Sequence, residues 1–118
     1  MLLVLAGVVF GFYKLQTLPG QYDDLAQCIT EKEAVFYGAF WCPNCQQQKA
    51  LFGRSSKYLP YVECSNPDRT QKDICVDAEI EKYPTWTLAD GTARTGVITP
   101  LELAEMTSCE STLPIDNK

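Results

Sequence analysis

Two cysteines separated by two residues, in Trp41-Cys42-Pro43-Asn44-Cys45, follow directly on the apolar run Ala34-Val35-Phe36-Tyr37-Gly38-Ala39-Phe40. A dithiol placed where a buried strand gives way to a helix has the chemistry of disulfide exchange. Cys42 is the expected nucleophile, because unpaired N–H groups and the helix dipole favour a thiolate at a helix N-terminus. Cys45, one turn further on, is the expected resolving thiol, whose attack on a mixed disulfide frees the client and leaves the two cysteines bonded. Further along, Tyr83-Pro84-Thr85 stands just ahead of a second strand-like run.

The elements that must position these groups follow from apolar spacing and breaker residues. Tyr22, Leu25, Ala26 and Ile29 recur at helical spacing, with Asp23 and Asp24 in the first turn, and predict a helix over 22–30. Residues 34–40 are continuous, aromatic-rich and too short for a helix, which predicts a central strand covered on both faces. Pro43 suits a first helical turn, and the helix it opens runs through Gln46 to Phe52 and ends at Gly53. A strand is expected over 58–64, a turn at Ser65-Asn66-Pro67-Asp68, and a helix from about Arg69 to Ile80. Asp90-Gly91 between the β-prone runs 86–88 and 92–98 signals a hairpin. Thr99-Pro100-Leu101-Glu102 is a capping box with its proline, opening a last helix to about Thr107. The order is helix, strand, helix, strand, helix, strand, strand, helix, an α/β arrangement.

Composition narrows the chemistry. The 118 residues suit one domain, and a net charge of −5 without any Lys/Arg cluster argues against nucleic-acid binding. There is no histidine, so any catalysis rests on cysteine, carboxylate or backbone. Six cysteines in so short a chain point to an oxidising compartment. Met1 to Tyr13 form an uncharged apolar run that Lys14 ends, with Leu15 to Leu18 behind it. A spanning helix needs about 20 apolar residues, so two membrane readings stand: the end of a helix that starts upstream, or the apolar part of an atypical signal anchor. A buried first element of the domain is the soluble alternative. The expected organisation is an anchor segment over 1–18, a folded domain over 21–109 and a disordered tail over 110–118.

With Trp-Cys-x-x-Cys at the first strand-to-helix turn and an X-Pro before the hairpin, this order of elements resembles a thioredoxin-like fold over about residues 21–109, which implies a central mixed sheet of about four strands flanked by helices. More narrowly, the run Phe36 to Cys45, then Tyr61-Val62-Glu63-Cys64, then Tyr83-Pro84-Thr85-Trp86, resembles the thioredoxin-like domains associated with vitamin K epoxide reductase homologues. That resemblance implies a membrane-anchored thiol-disulfide oxidoreductase facing the periplasm, a thylakoid lumen or the cell exterior. It would pass disulfides to cysteine-containing client proteins, needing no cofactor of its own, and be recharged by a quinone-linked membrane disulfide generator. It also implies a cis-proline at Pro84, with Tyr83 and Thr85 docking an extended client and Trp41, Pro43 and Asn44 tuning the couple. Two positions depart from the family pattern. Asn44 stands where oxidising members often carry histidine, and Phe36 stands where many members bury an acid that takes the resolving cysteine's proton. Water or another group, Glu63 among them, must then take that proton.

The four other cysteines leave alternatives open. Cys64 and Cys75 bracket the connection from the second strand to the third helix, as either a structural staple or a second redox pair. Cys28 and Cys109, near the ends of the domain, remain as a possible structural disulfide by elimination. A zinc site built from Cys42, Cys45, Cys64 and Cys75 is a rival reading, weakened by the wide spacing of its second pair and the lack of histidine. A non-catalytic adaptor on the same fold is another, and a disulfide reductase fed by a thiol relay is a third.

Overall fold

The computed structural model describes residues 19–114, and the expected membrane anchor, residues 1–18, lies outside them. Among the described residues no helix is long and apolar enough to cross a membrane. Four strands form one mixed sheet in the order β2-β1-β3-β4. Strand β1 (Val35–Gly38) is central, parallel to β2 (Tyr61–Glu63) and antiparallel to β3 (Thr85–Thr87), which pairs with the edge strand β4 (Ala93–Thr95). Register brings the core aromatics together. Phe36 lies opposite both Tyr61 and Trp86, stacked on Trp86 and edge-on to Tyr61, each with ring centroids 4.9 Å apart.

Helix α1 (Asp23–Glu31) buries Leu25, Ala26 and Ile29 in the main core and packs on the last helix, α4 (Pro100–Thr107). Its start is fastened to the 3-10 segment Gly53–Tyr58, which follows the dithiol helix α2 (Pro43–Phe52). Tyr22 donates its N–H to the Ser55 hydroxyl (2.7 Å), which donates to Asp23 Oδ1 (2.8 Å), while Gly20 N–H reaches Asp23 Oδ2 (3.1 Å). At α4, Thr99 Oγ1 accepts the Glu102 N–H at 3.2 Å with Pro100 in the first turn. The reciprocal half of the capping box is not made, because the Glu102 carboxylate pairs with Arg94 at 3.0 Å instead.

Several expected elements are shorter than their sequence patterns. The second strand begins only at Tyr61, since the residues ahead of it form the 3-10 segment and Pro60 has no N–H to pair. The helix expected over 69–80 is confined to α3 (Asp73–Asp77). Residues before it fold as a loop: Asp68 Oδ1 accepts both the N–H and the hydroxyl of Thr70, and Lys72 N–H returns to Cys64 O at 2.7 Å. Local side-chain bonds of this kind compete with helix formation. Beyond Cys109, where disorder was expected from residue 110, Glu110–Thr112 forms a 3-10 turn and Leu113 packs on the core.

Cys28 is bonded to Cys109, tying α1 to the end of α4 across 81 residues of chain. Closing so long a loop removes much of the unfolded chain's entropy, roughly 4 kcal/mol in the chain-entropy account. Replacing both cysteines by Ser should lower stability to chemical denaturation by about 2–5 kcal/mol. Unchanged denaturation midpoints and slopes would show that the staple adds nothing.

Candidate active site

Cys42 is the N-cap of α2, with extended backbone (φ −82°, ψ 119°), and Pro43 fills the first helical position, where no N–H is needed. The Cys45 N–H points back at Cys42 Sγ at 3.4 Å. The other open face of that sulfur meets β3's leading loop: the Tyr83–Pro84 peptide is cis, and Tyr83 O lies 3.7 Å from Cys42 Sγ. Around this pair Trp41 is fixed by its indole N–H to Ser65 Oγ (2.7 Å), sits edge-on to Tyr83 (6.0 Å), and has the Arg69 guanidinium over its ring at 5.6 Å. Pro43 and Asn44 are exposed beside the dithiol. Thr85 is buried, and its hydroxyl is committed to Lys82 O at 2.6 Å, so it shapes the proline loop rather than offering a side chain for docking.

The two thiols are unequal. Cys42 is 7% exposed and Cys45 1%. Burial, only partly countered by a hydrogen bond from the Ala39 backbone, pushes the Cys45 thiol up from its ordinary 9.0 to about 12; the Cys42 sulfur adds to the rise and Lys49 opposes it. Close packing produces that burial. A Cβ on Gly38 would stand 2.9 Å from both Cys45 Sγ and Tyr61 Cε1, so only glycine lets β1 and α2 approach this closely.

Phe36, at the position where a buried acid was missing from the sequence, is wholly buried between aromatic rings. Glu63 is not a loose strand-edge carboxylate. Its Oε1 accepts the Tyr61 hydroxyl (2.8 Å), and its Oε2 accepts the N–H groups of Phe40 and Ser65 (3.0 Å each). Burial, then the hydrogen bond to Glu63, holds the Tyr61 phenol well above its ordinary range.

One positioning residue was not singled out in the sequence. Gln48 is fully buried on α2, donating to Ile98 O (2.8 Å) and accepting from Ile98 N–H (2.8 Å) and the Trp86 indole (3.1 Å). Each of those partners left unpaired would cost about 1–3 kcal/mol. Its signal was spacing alone: Cys45, Gln48 and Phe52 fall on one helical face.

Cys64 and Cys75 are bonded to each other and wholly buried with Ile80 in a small second cluster. They therefore do not join Cys42 and Cys45 in a four-thiolate arrangement, and among the described residues no group of three or more His, Cys, Asp or Glu side chains is placed to hold a metal ion. Cys42 and Cys45 alone are free thiols.

No family model matches the chain. A thiol-disulfide oxidoreductase of Arabidopsis thaliana is 46% identical over 89 residues, 70% of this chain. A thioredoxin domain-containing protein 5 homolog of Drosophila melanogaster is 31% identical over 80 residues, 59% of this chain. The sheet order and these relatives agree. The chain belongs to the thioredoxin-like superfamily. It spans only 23% and 18% of the lengths of the two relatives, so the thioredoxin-like domain corresponds to a part of each.

Thiols are alkylated as thiolates, and at pH 8 a group with a pKa of about 12 is ionised to roughly one part in ten thousand. Iodoacetamide should therefore label the reduced domain once, at Cys42, near neutral pH. Cys45 should become reactive only as pH climbs toward 12. Equal labelling of both thiols at pH 8, read by peptide mass, would contradict this inequality.

Proposed function

We propose that this domain is a protein thiol-disulfide oxidoreductase that exchanges disulfides with extracytoplasmic client proteins through Cys42 and Cys45. The observation that carries the reading is the state of the six cysteines: four are locked in two disulfides, while the remaining pair is free at a helix start beside the Tyr83 carbonyl. In the oxidising direction a client thiolate attacks Cys42 Sγ of the Cys42–Cys45 disulfide, and Cys45 leaves as thiolate. A second client thiolate then attacks the mixed disulfide, the client disulfide forms, and Cys42 leaves with the electron pair. The dithiol has then gained two electrons. A vitamin K epoxide reductase-like, quinone-linked membrane protein would take them, with residues 1–18 holding the domain at the membrane. The similarity to the Arabidopsis thiol-disulfide oxidoreductase supports the exchange chemistry.

A second reading, a reductase fed by a thiol relay, uses the same atoms in reverse. It is favoured by Asn44, which leaves the exposed dithiol turn without an imidazolium beside Cys42.

Equilibration with glutathione mixtures separates the two. A couple nearer the strong oxidants, about −120 mV, fits the oxidase, whereas one near thioredoxin, about −270 mV, replaces it by the reductase. The exchange reading itself is tested by Cys45→Ala, which removes the resolving thiol and should accumulate mixed disulfides on Cys42 when the domain meets a disulfide-bearing protein. An alkylatable Cys42 that captured nothing would leave a non-catalytic adaptor.

A further inference from the structure

In either direction of exchange Cys45 passes through a thiolate, as leaving group or as attacker, inside a site that buries it. The Phe36 ring, not a carboxylate, shares with Cys45 Sγ the open face of Gly38. Among the described residues the charged and titratable groups that act on it are Cys42 and Lys49 on its own helix and Tyr61 on β2, with Glu63 bonded to the far end of that phenol.

Resting on the exchange reading, we propose that the Lys49 ammonium is the counter-charge for the Cys45 thiolate, and that Tyr61 and Glu63 hold it in place. Lys49 lies one turn after Cys45 on α2, and helical side chains lean toward the N-terminus, so its stem is carried back over the Cys45 turn. Its Nζ rests 3.7 Å from the centroid of the Tyr61 ring, a cation–π seat. The ring edge and Cys45 Sγ converge on the same bare face of Gly38. Three contacts then fix the ring: Phe36 edge-on, Lys49 on its face, and its hydroxyl on Glu63 at 2.8 Å. Glu63 is itself anchored by two backbone N–H groups. The cation is thus seated on the face of the ring whose edge meets the same glycine as Cys45 Sγ, while the carboxylate of the chain of contacts is kept on the far end of the phenol. When Cys45 resolves a mixed disulfide, its proton goes to water, the Cys45–Cys42 bond forms, the bond from Cys42 to the client sulfur breaks, and the client leaves as thiolate. Lys49 is a positioning residue in that step, since it touches neither client nor leaving group.

Mixing the reduced protein with 5,5′-dithiobis(2-nitrobenzoate) in a stopped-flow instrument reads the two thiols in turn. Cys42 releases the first thionitrobenzoate and Cys45 the second, an assignment fixed by loss of the second phase in Cys45→Ala. Lys49→Met keeps the apolar stem and removes the charge. It should slow the second phase about tenfold near neutral pH and move its pH–rate profile upward by about one unit, and Lys49→Arg should restore both. Tyr61→Leu, which removes the seat, should shift the profile in the same direction. A second phase in Lys49→Met with an unmoved profile overturns the proposal, whether or not it is slower, as does an Arg variant no better than Met. Two phases with a silent Lys49 would sink this inference alone. A natural chain that shows no first phase would sink the exchange reading and this one with it.

Discussion

A single buried amide fixes where the dithiol helix lies. Gln48 spends both ends of its side chain on partners outside α2, the Trp86 indole of β3 and the backbone of Ile98 ahead of α4. Apolar packing could slide or roll a helix over a sheet at small cost, whereas hydrogen bonds in a dry interior tolerate little displacement. Since β3 carries Pro84 at its head, the amide that grips Trp86 also sets the distance between Cys42 and the Tyr83 carbonyl. Gly38 sets the depth of the same contact, and Gln48 its rotation.

From that placement follows the inequality of the two sulfurs. The N-cap position keeps Cys42 at the rim, and the next turn carries Cys45 against Gly38 of the central strand. The stack Trp86–Phe36–Tyr61 then fills the space below Cys45 with rings rather than a carboxylate. An acid there would repel a thiolate while offering to take its proton; rings do neither. The polar groups have moved sideways along β2, to Glu63 and, across the Tyr61 face, to Lys49.

Much of this was legible in the residues. The central strand, the proline-opened helix, the Asp90-Gly91 hairpin and the Thr99 cap each rest on a local signal, and local signals survive folding when nothing distant competes. Their order resembled a thioredoxin-like fold, and the mixed four-stranded sheet came with that resemblance. What escaped was set by partners far away in sequence. The helix expected over 69–80 shrank to one turn because Asp68, Thr70 and Lys72 bond within the loop and back to Cys64. Glu63 entered only as one group that could take a proton, since nothing in its neighbours announces the three donors that converge on it. Gln48 looked like one glutamine of three, and only the register of α2 against β3 distinguishes it.

The bond between Cys28 and Cys109 brings two points near the ends of the domain to a Cα separation of 6.1 Å. A folded unit closed in this way behaves as a pendant. Chain that enters it and chain that leaves it meet at one place, so a longer polypeptide can carry the domain from a single hinge without stretching across it. Tension along such a polypeptide would pass through the sulfur bridge and bypass the sheet, leaving the spacing between Cys42 and its proline loop undisturbed.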